Sequence, residues 1–66
     1  MKTLINDNDG FRTYVYLNDA AHPPGFRHLK ITTQWLNAKN SQDEQKKYEI
    51  LLDQQSMQNF INTLTQ

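Results

Sequence analysis

The chain is 66 residues long, contains no cysteine, and sets seven basic against seven acidic side chains. That length holds one small domain, residues 1–66, with no room for a second. The missing thiols exclude a disulfide staple and a thiolate metal site, and the balanced charge argues against a protein whose main task is to coat nucleic acid or an anionic membrane.

No apolar run approaches the roughly 20 residues that a membrane span needs. The opening Met1-Lys2-Thr3-Leu4-Ile5 carries a charge but no apolar stretch of secretory length. The expectation is a soluble, cytoplasmic protein. A domain of this size buries only about 60% of the surface its unfolded chain exposes, so area gains barely offset chain entropy. His22 and His28 are too few to build a zinc site alone. Self-association, most simply as a homodimer, is the expected further source of stability.

In chain order, residues 2–6 read as a short strand, closed by Asn6-Asp7-Asn8-Asp9-Gly10, a cluster dense in turn formers. Residues 11–17 alternate, with Phe11, Thr13, Val15 and Leu17 on one side and Arg12, Tyr14 and Tyr16 on the other. Tyr, Val, Thr and Phe all favour strands. Residues 18–25 form a loop, because His22-Pro23-Pro24-Gly25 excludes both helix and central strand. A further strand over about 26–36 puts Leu29, Ile31, Thr33 and Trp35 on one face and His28, Lys30, Thr32 and Gln34 on the other. Residues 37–46 are a polar connection, read as a long hairpin loop with room for a helical turn, and residues 47–52 are the last strand.

After Asp53 the period changes. Met57, Phe60, Ile61 and Leu64 fall at i, i+3, i+4 and i+7, the stripe of an amphipathic helix. Asp53 suits the N-cap, where its carboxylate can accept from the unpaired amides of the first turn. Leu52 and Met57 are spaced for a hydrophobic staple across that cap. The order of elements predicts an α+β fold, an antiparallel β-meander of about four strands with one C-terminal helix packed on one face, ββββα. Its expected core is Leu4, Val15, Leu17, Leu29, Ile31, Trp35, Ile50, Leu52, Met57, Phe60, Ile61 and Leu64.

Few patterns carry chemistry. Asp7-Asn8-Asp9-Gly10 has the look of a calcium loop, but aligning Gly10 with the sixth EF-hand position puts Ile5 first and Tyr16 last, so the ligand set fails and a tight turn is the better reading. His22, His28 and Asp19 have no spacing that positions an acid–base or metal cluster. No nucleophile-elbow context and no glycine-rich phosphate loop is present. The expectation is a non-enzymatic protein without cofactor or metal.

One pattern is worth pursuing. With the helix on the Val15/Leu29/Ile31/Trp35 side, Arg12, Tyr14, Tyr16, His28, Lys30, Gln34 and Lys47 share the opposite face, together with Glu49. Tyr and Arg are over-represented at protein interfaces. The first reading is therefore a small protein-binding regulator or inhibitor module, of a size common among phage and mobile-element products. The alternative is a single-stranded nucleic-acid binder on the same face, because bases stack on aromatic rings while cations follow phosphates.

Lys30-Ile31-Thr32-Thr33-Gln34-Trp35 and the strand–cap–helix step over residues 50–64, about half the chain, are broadly similar to small single-strand-binding domains of the transcriptional coactivator type. The resemblance implies a sheet that binds single strands. The neutral charge departs from the basic character of such domains, so no binding residue is carried across.

Overall fold

The computed structural model describes residues 1–39 and 41–65. Among these, four strands and one helix follow one another: β1 (Lys2–Asn8), β2 (Phe11–Asp19), β3 (Arg27–Trp35), β4 (Glu44–Leu52) and α1 (Gln54–Leu64). The strands form one antiparallel sheet in the order β1-β2-β3-β4. The ββββα architecture expected from the sequence is the one observed. Among the described residues no helix is long and apolar enough to cross a membrane.

Local chemistry accounts for the connections. β1 and β2 are joined by Asp9 and Gly10, both at positive φ (54° and 86°), the paired left-handed geometry of a type I′ hairpin turn. The Leu36 amide donates to the Gly10 carbonyl at 2.8 Å, tying that turn to the end of β3. β2 and β3 pair in unbroken register from Phe11↔Trp35 to Asp19↔Arg27, as the clean alternation of both segments demands. The loop at residues 20–26 is closed by the Ala20 amide donating to the Phe26 carbonyl at 3.0 Å.

Two irregularities depart from simple alternation. A bulge between Leu4 and Asn6 in β1 leaves Ile5 without a partner and places Leu4 opposite Tyr14. A second bulge lies in β4, where Tyr48 pairs with Ile31 but Lys46 pairs with Thr32, so Lys47 is the extra residue. β4 begins at Glu44, three residues earlier than the sequence suggests, so the polar connection is shorter than 37–46. Residue 40 of that connection lies outside the described residues.

The sheet therefore has an apolar face and a polar face. Thr3, Phe11, Val15, Leu17, Leu29, Ile31, Trp35, Tyr48 and Ile50 fall on the first by register. Yet Leu29, 5% exposed, is the one buried hydrophobic side chain among the described residues. Val15, Leu17, Ile31, Ile50, Leu52, Met57 and Phe60 are only half-buried, and Trp35, Ile61 and Leu64 are exposed. Leu4 is exposed as well and belongs to the polar face.

The expected core was too generous because α1 leaves part of the apolar face open, with Phe11, Trp35 and Tyr48 exposed. Asp53 does cap it, its carboxylate accepting from the Ser56 amide at 2.8 Å. The contacts of α1 with the strands fall chiefly on adjoining β4, and Gln54, Met57, Gln58 and Ile61 border an open cleft of about 590 Å³ whose other wall is the loop at residues 20–26 and Arg27. No helical residue is buried. The molecule is a thin slab of 39 × 30 × 16 Å. Its radius of gyration, 13.8 Å, exceeds the roughly 11 Å of a compact 66-residue chain.

Candidate functional site: the tyrosine face of the sheet

Register brings six of the seven anticipated residues together. Arg12 faces Gln34, Tyr14 faces Thr32, Tyr16 faces Lys30, and His28 lies one pair further along β3, opposite Asn18. All alternate outward on the same side of β2 and β3. The seventh, Lys47, is not part of this face. As the extra residue of the β4 bulge it leaves the alternation, and its Nζ donates to Gln45 Oε1 at 3.2 Å. Gln45 pairs with Thr33 on the apolar side. Lys46, opposite Thr32, stands where Lys47 was expected.

At the centre is Glu44, which the sequence places in the polar connection 37–46 and the structure places in β4. Its Oε1 accepts from the Tyr16 hydroxyl and from the Thr32 hydroxyl, both at 2.6 Å, and its Oε2 accepts from Lys2 Nζ at 3.0 Å. One carboxylate from β4 thus holds a donor from each of the other three strands. Thr32 is the buried polar residue here, 4% exposed, and burial of its hydroxyl is tolerated because it is hydrogen-bonded. The Thr32 hydroxyl, then Tyr16, and then the Lys2 ammonium favour the ionised form of Glu44 and lower its pKa to about 2. In return, the Tyr16 hydroxyl and Glu44 raise the pKa of Lys2.

The tyrosine rings are held at both ends. The Tyr14 hydroxyl donates to Gln34 Oε1 at 3.0 Å, and Gln34 Nε2 donates to the Ser41 carbonyl at 2.9 Å. Lys2 Nζ sits 4.2 Å from the centroid of the Tyr14 ring, and Lys30 Nζ sits 4.4 Å from that of Tyr16, well inside the range of cation–π attraction.

Flanking pairs complete the face. Arg12 Nε donates to Asp7 Oδ2 at 3.2 Å, and hydrogen bonding to Tyr14 and Asp7 raises the Arg12 pKa. Glu49 takes Lys46 Nζ at 3.3 Å on one oxygen and lies 2.9 Å from His28 Nε2 with the other. Lys46, then His28, lower the pKa of Glu49. Lys30 makes no ion pair among the described residues, although Glu49 is its register partner.

Sequence reasoning found the tyrosines and their neighbours from alternation alone. It missed Lys2, Glu44 and Lys46. Lys2 had no signal, since unbroken pairing from the turn would set it opposite Leu17 and only the bulge at Ile5 brings it level with Tyr16. Glu44 had none, because Glu, Gln and Lys are poor strand formers and only pairing with β3 draws them into the sheet. Among the described residues no group of three or more His, Asp or Glu side chains is placed to hold a metal ion.

The chain matches no protein-family model, no curated protein and no solved structure. The likeness to single-strand-binding coactivator domains remains one of element order.

Proposed function

We propose that this chain is a non-enzymatic, protein-binding regulator or inhibitor module that docks its partner through the tyrosine face. One observation carries the reading. Tyr14 and Tyr16 are anchored through their hydroxyls, to Gln34 and Glu44, and each has a lysine ammonium over its ring. Side chains ordered before encounter lose little freedom on binding, where each rotamer-rich side chain immobilised at an interface otherwise costs about 0.5–1.5 kcal/mol. Lys30, free of carboxylate partners among the described residues, calls for an acidic side chain on the partner, with Arg12, His28 and Gln34 as flanking contacts.

The same arrangement weighs against a single-strand binder. Lys2, Arg12 and Lys46 already face Glu44, Asp7 and Glu49, which leaves few cations to follow a phosphate backbone. The lysines above the rings occupy the positions that stacked bases need. Catalysis is also poorly served, since a carboxylate with a pKa of about 2 is a weak general base near neutral pH.

The test is capture of partners by the unaltered chain and by Lys30→Glu, with and without nuclease. A protein retained after nuclease treatment by the unaltered chain and lost with Lys30→Glu supports the reading. Capture abolished by nuclease, or a shift of a labelled single-stranded oligonucleotide that weakens steeply with salt, replaces it with the nucleic-acid alternative.

A further inference from the structure

The apolar face of the sheet poses a separate problem. A sheet must bury its apolar side against another layer, and α1 leaves part of that side open. Phe11, Trp35 and Tyr48 are 44%, 53% and 51% exposed. The accessible surface, 5167 Å², is about 800 Å² larger than mass scaling gives for a folded monomer of 7.8 kDa. That excess matches the roughly 800 Å² that each partner buries in a standard protein interface.

We propose that two copies of the chain pack apolar face against apolar face as a two-fold sandwich, with Phe11, Val15, Ile31, Trp35 and Tyr48 at its centre. None of the in-register positions around these residues is charged. Asn6, Asn8, Thr13, Thr33 and Gln45 supply the polar remainder, and depletion of charge is the compositional mark of an interface core. A two-fold interface joins one patch to itself, so the patch must not repel its own copy. The charges at its border, Lys47 bonded to Gln45 and Lys39 and Asp43 beside Phe11 and Trp35, are of both signs, so two copies of this chain of zero net charge meet that demand. Two twisted sheets stack face to face with strand directions within about 30° of each other.

Pairing through the sheet edges is opposed by the strands themselves. β1 is broken by its bulge at Ile5, and β4 carries a bulge together with Lys46, Lys47 and Glu49, devices that blunt an edge against further strands. The sandwich leaves both tyrosine faces outward, so it stands independently of the partner-binding reading and gives that partner two equivalent sites.

Trp35, the single tryptophan, reports directly on the buried surface. Sedimentation of the full chain from about 1 µM to about 1 mM, with Trp35 emission and acrylamide quenching along the same series, is the test. A monomer–dimer transition in which quenching falls several-fold and emission moves to shorter wavelength is the expected result. The variant Tyr48→Lys, made at an already exposed position, is expected to weaken association at least 100-fold. A monomer at every concentration overturns the proposal, and so does a dimer in which Trp35 stays as quenchable as in the monomer. If Tyr48→Lys fails to fold, the Trp35 series on the unaltered chain decides alone.

Discussion

On one side of β2 and β3, Tyr14 donates to Gln34, and Tyr16 and Thr32 donate to Glu44. On the other, Val15 and Ile31 are only half-buried and Trp35 is exposed. Alternate residues of the same strands build both surfaces, and the exposure differs because the means of satisfaction differ. Hydrogen bonds and cation–π contacts are short, directional and available within one layer. Apolar burial needs a second layer, because area is removed from water only when something lies on top. The polar side of this sheet is finished within a single chain, and the apolar side is not.

Substitutions that attack each side separately test that contrast. The largest effect is expected from Leu29→Ala, which hollows the one buried hydrophobic position and should cost roughly 2–5 kcal/mol in urea unfolding. On the polar side, Thr32→Val keeps the shape but withdraws one of the two shortest donors to Glu44. A loss of about 1–3 kcal/mol is expected, together with a rise in the Glu44 pKa that a carboxylate NMR titration would read. A loss below about 0.5 kcal/mol would mean that the hydroxyl contributes little.

Acid should distinguish the faces as well. The Glu44 pKa is lowered in the folded chain to about 2, so the unfolded chain binds the proton first as pH falls. The stability that this carboxylate lends is complete above about pH 4.5 and drains away as pH drops toward 2. Glu44→Gln should flatten the unfolding midpoint across that window, leaving the smaller slopes due to Glu49 and Asp53, whose pKa values are also lowered. An unchanged slope would show that Glu44 is not the group responsible.

Smaller effects belong outside both faces. Asp53→Ala removes the cap on Ser56 and should cost about 1 kcal/mol of helix stability. It is expected to lower ellipticity at 222 nm while leaving the Trp35 environment unmoved, because α1 leaves the centre of the sheet uncovered. Lys47→Ala should change stability by less than about 0.5 kcal/mol, since its one side-chain hydrogen bond among the described residues is to neighbouring Gln45.

Much of this was legible in the residues. The alternation over residues 11–17 and about 26–36 separated the two faces of β2 and β3, because side chains along a strand point to opposite sides in turn. Asp53 before an i, i+3, i+4, i+7 stripe gave the cap and the helix. Bulges were not legible. Lys47 leaves the tyrosine side and Leu4 joins it only through pairing irregularities, which depend on the partner strand and leave no local trace. Nor does an amphipathic stripe say where it docks. Met57 and Ile61 face the cleft beside residues 20–26, whereas the stripe alone suggested the sheet.

The position of Glu44 bears on how the meander finds its alignment. Its three donors lie 42, 28 and 12 residues away, one from every other strand. A one-residue slip in any hairpin turns a donor to the reverse side and takes from the carboxylate part of the hydrogen bonding that stabilises its ionised form. A misaligned sheet is thereby penalised wherever the error occurs, so a single acidic side chain proofreads the arrangement of all four strands.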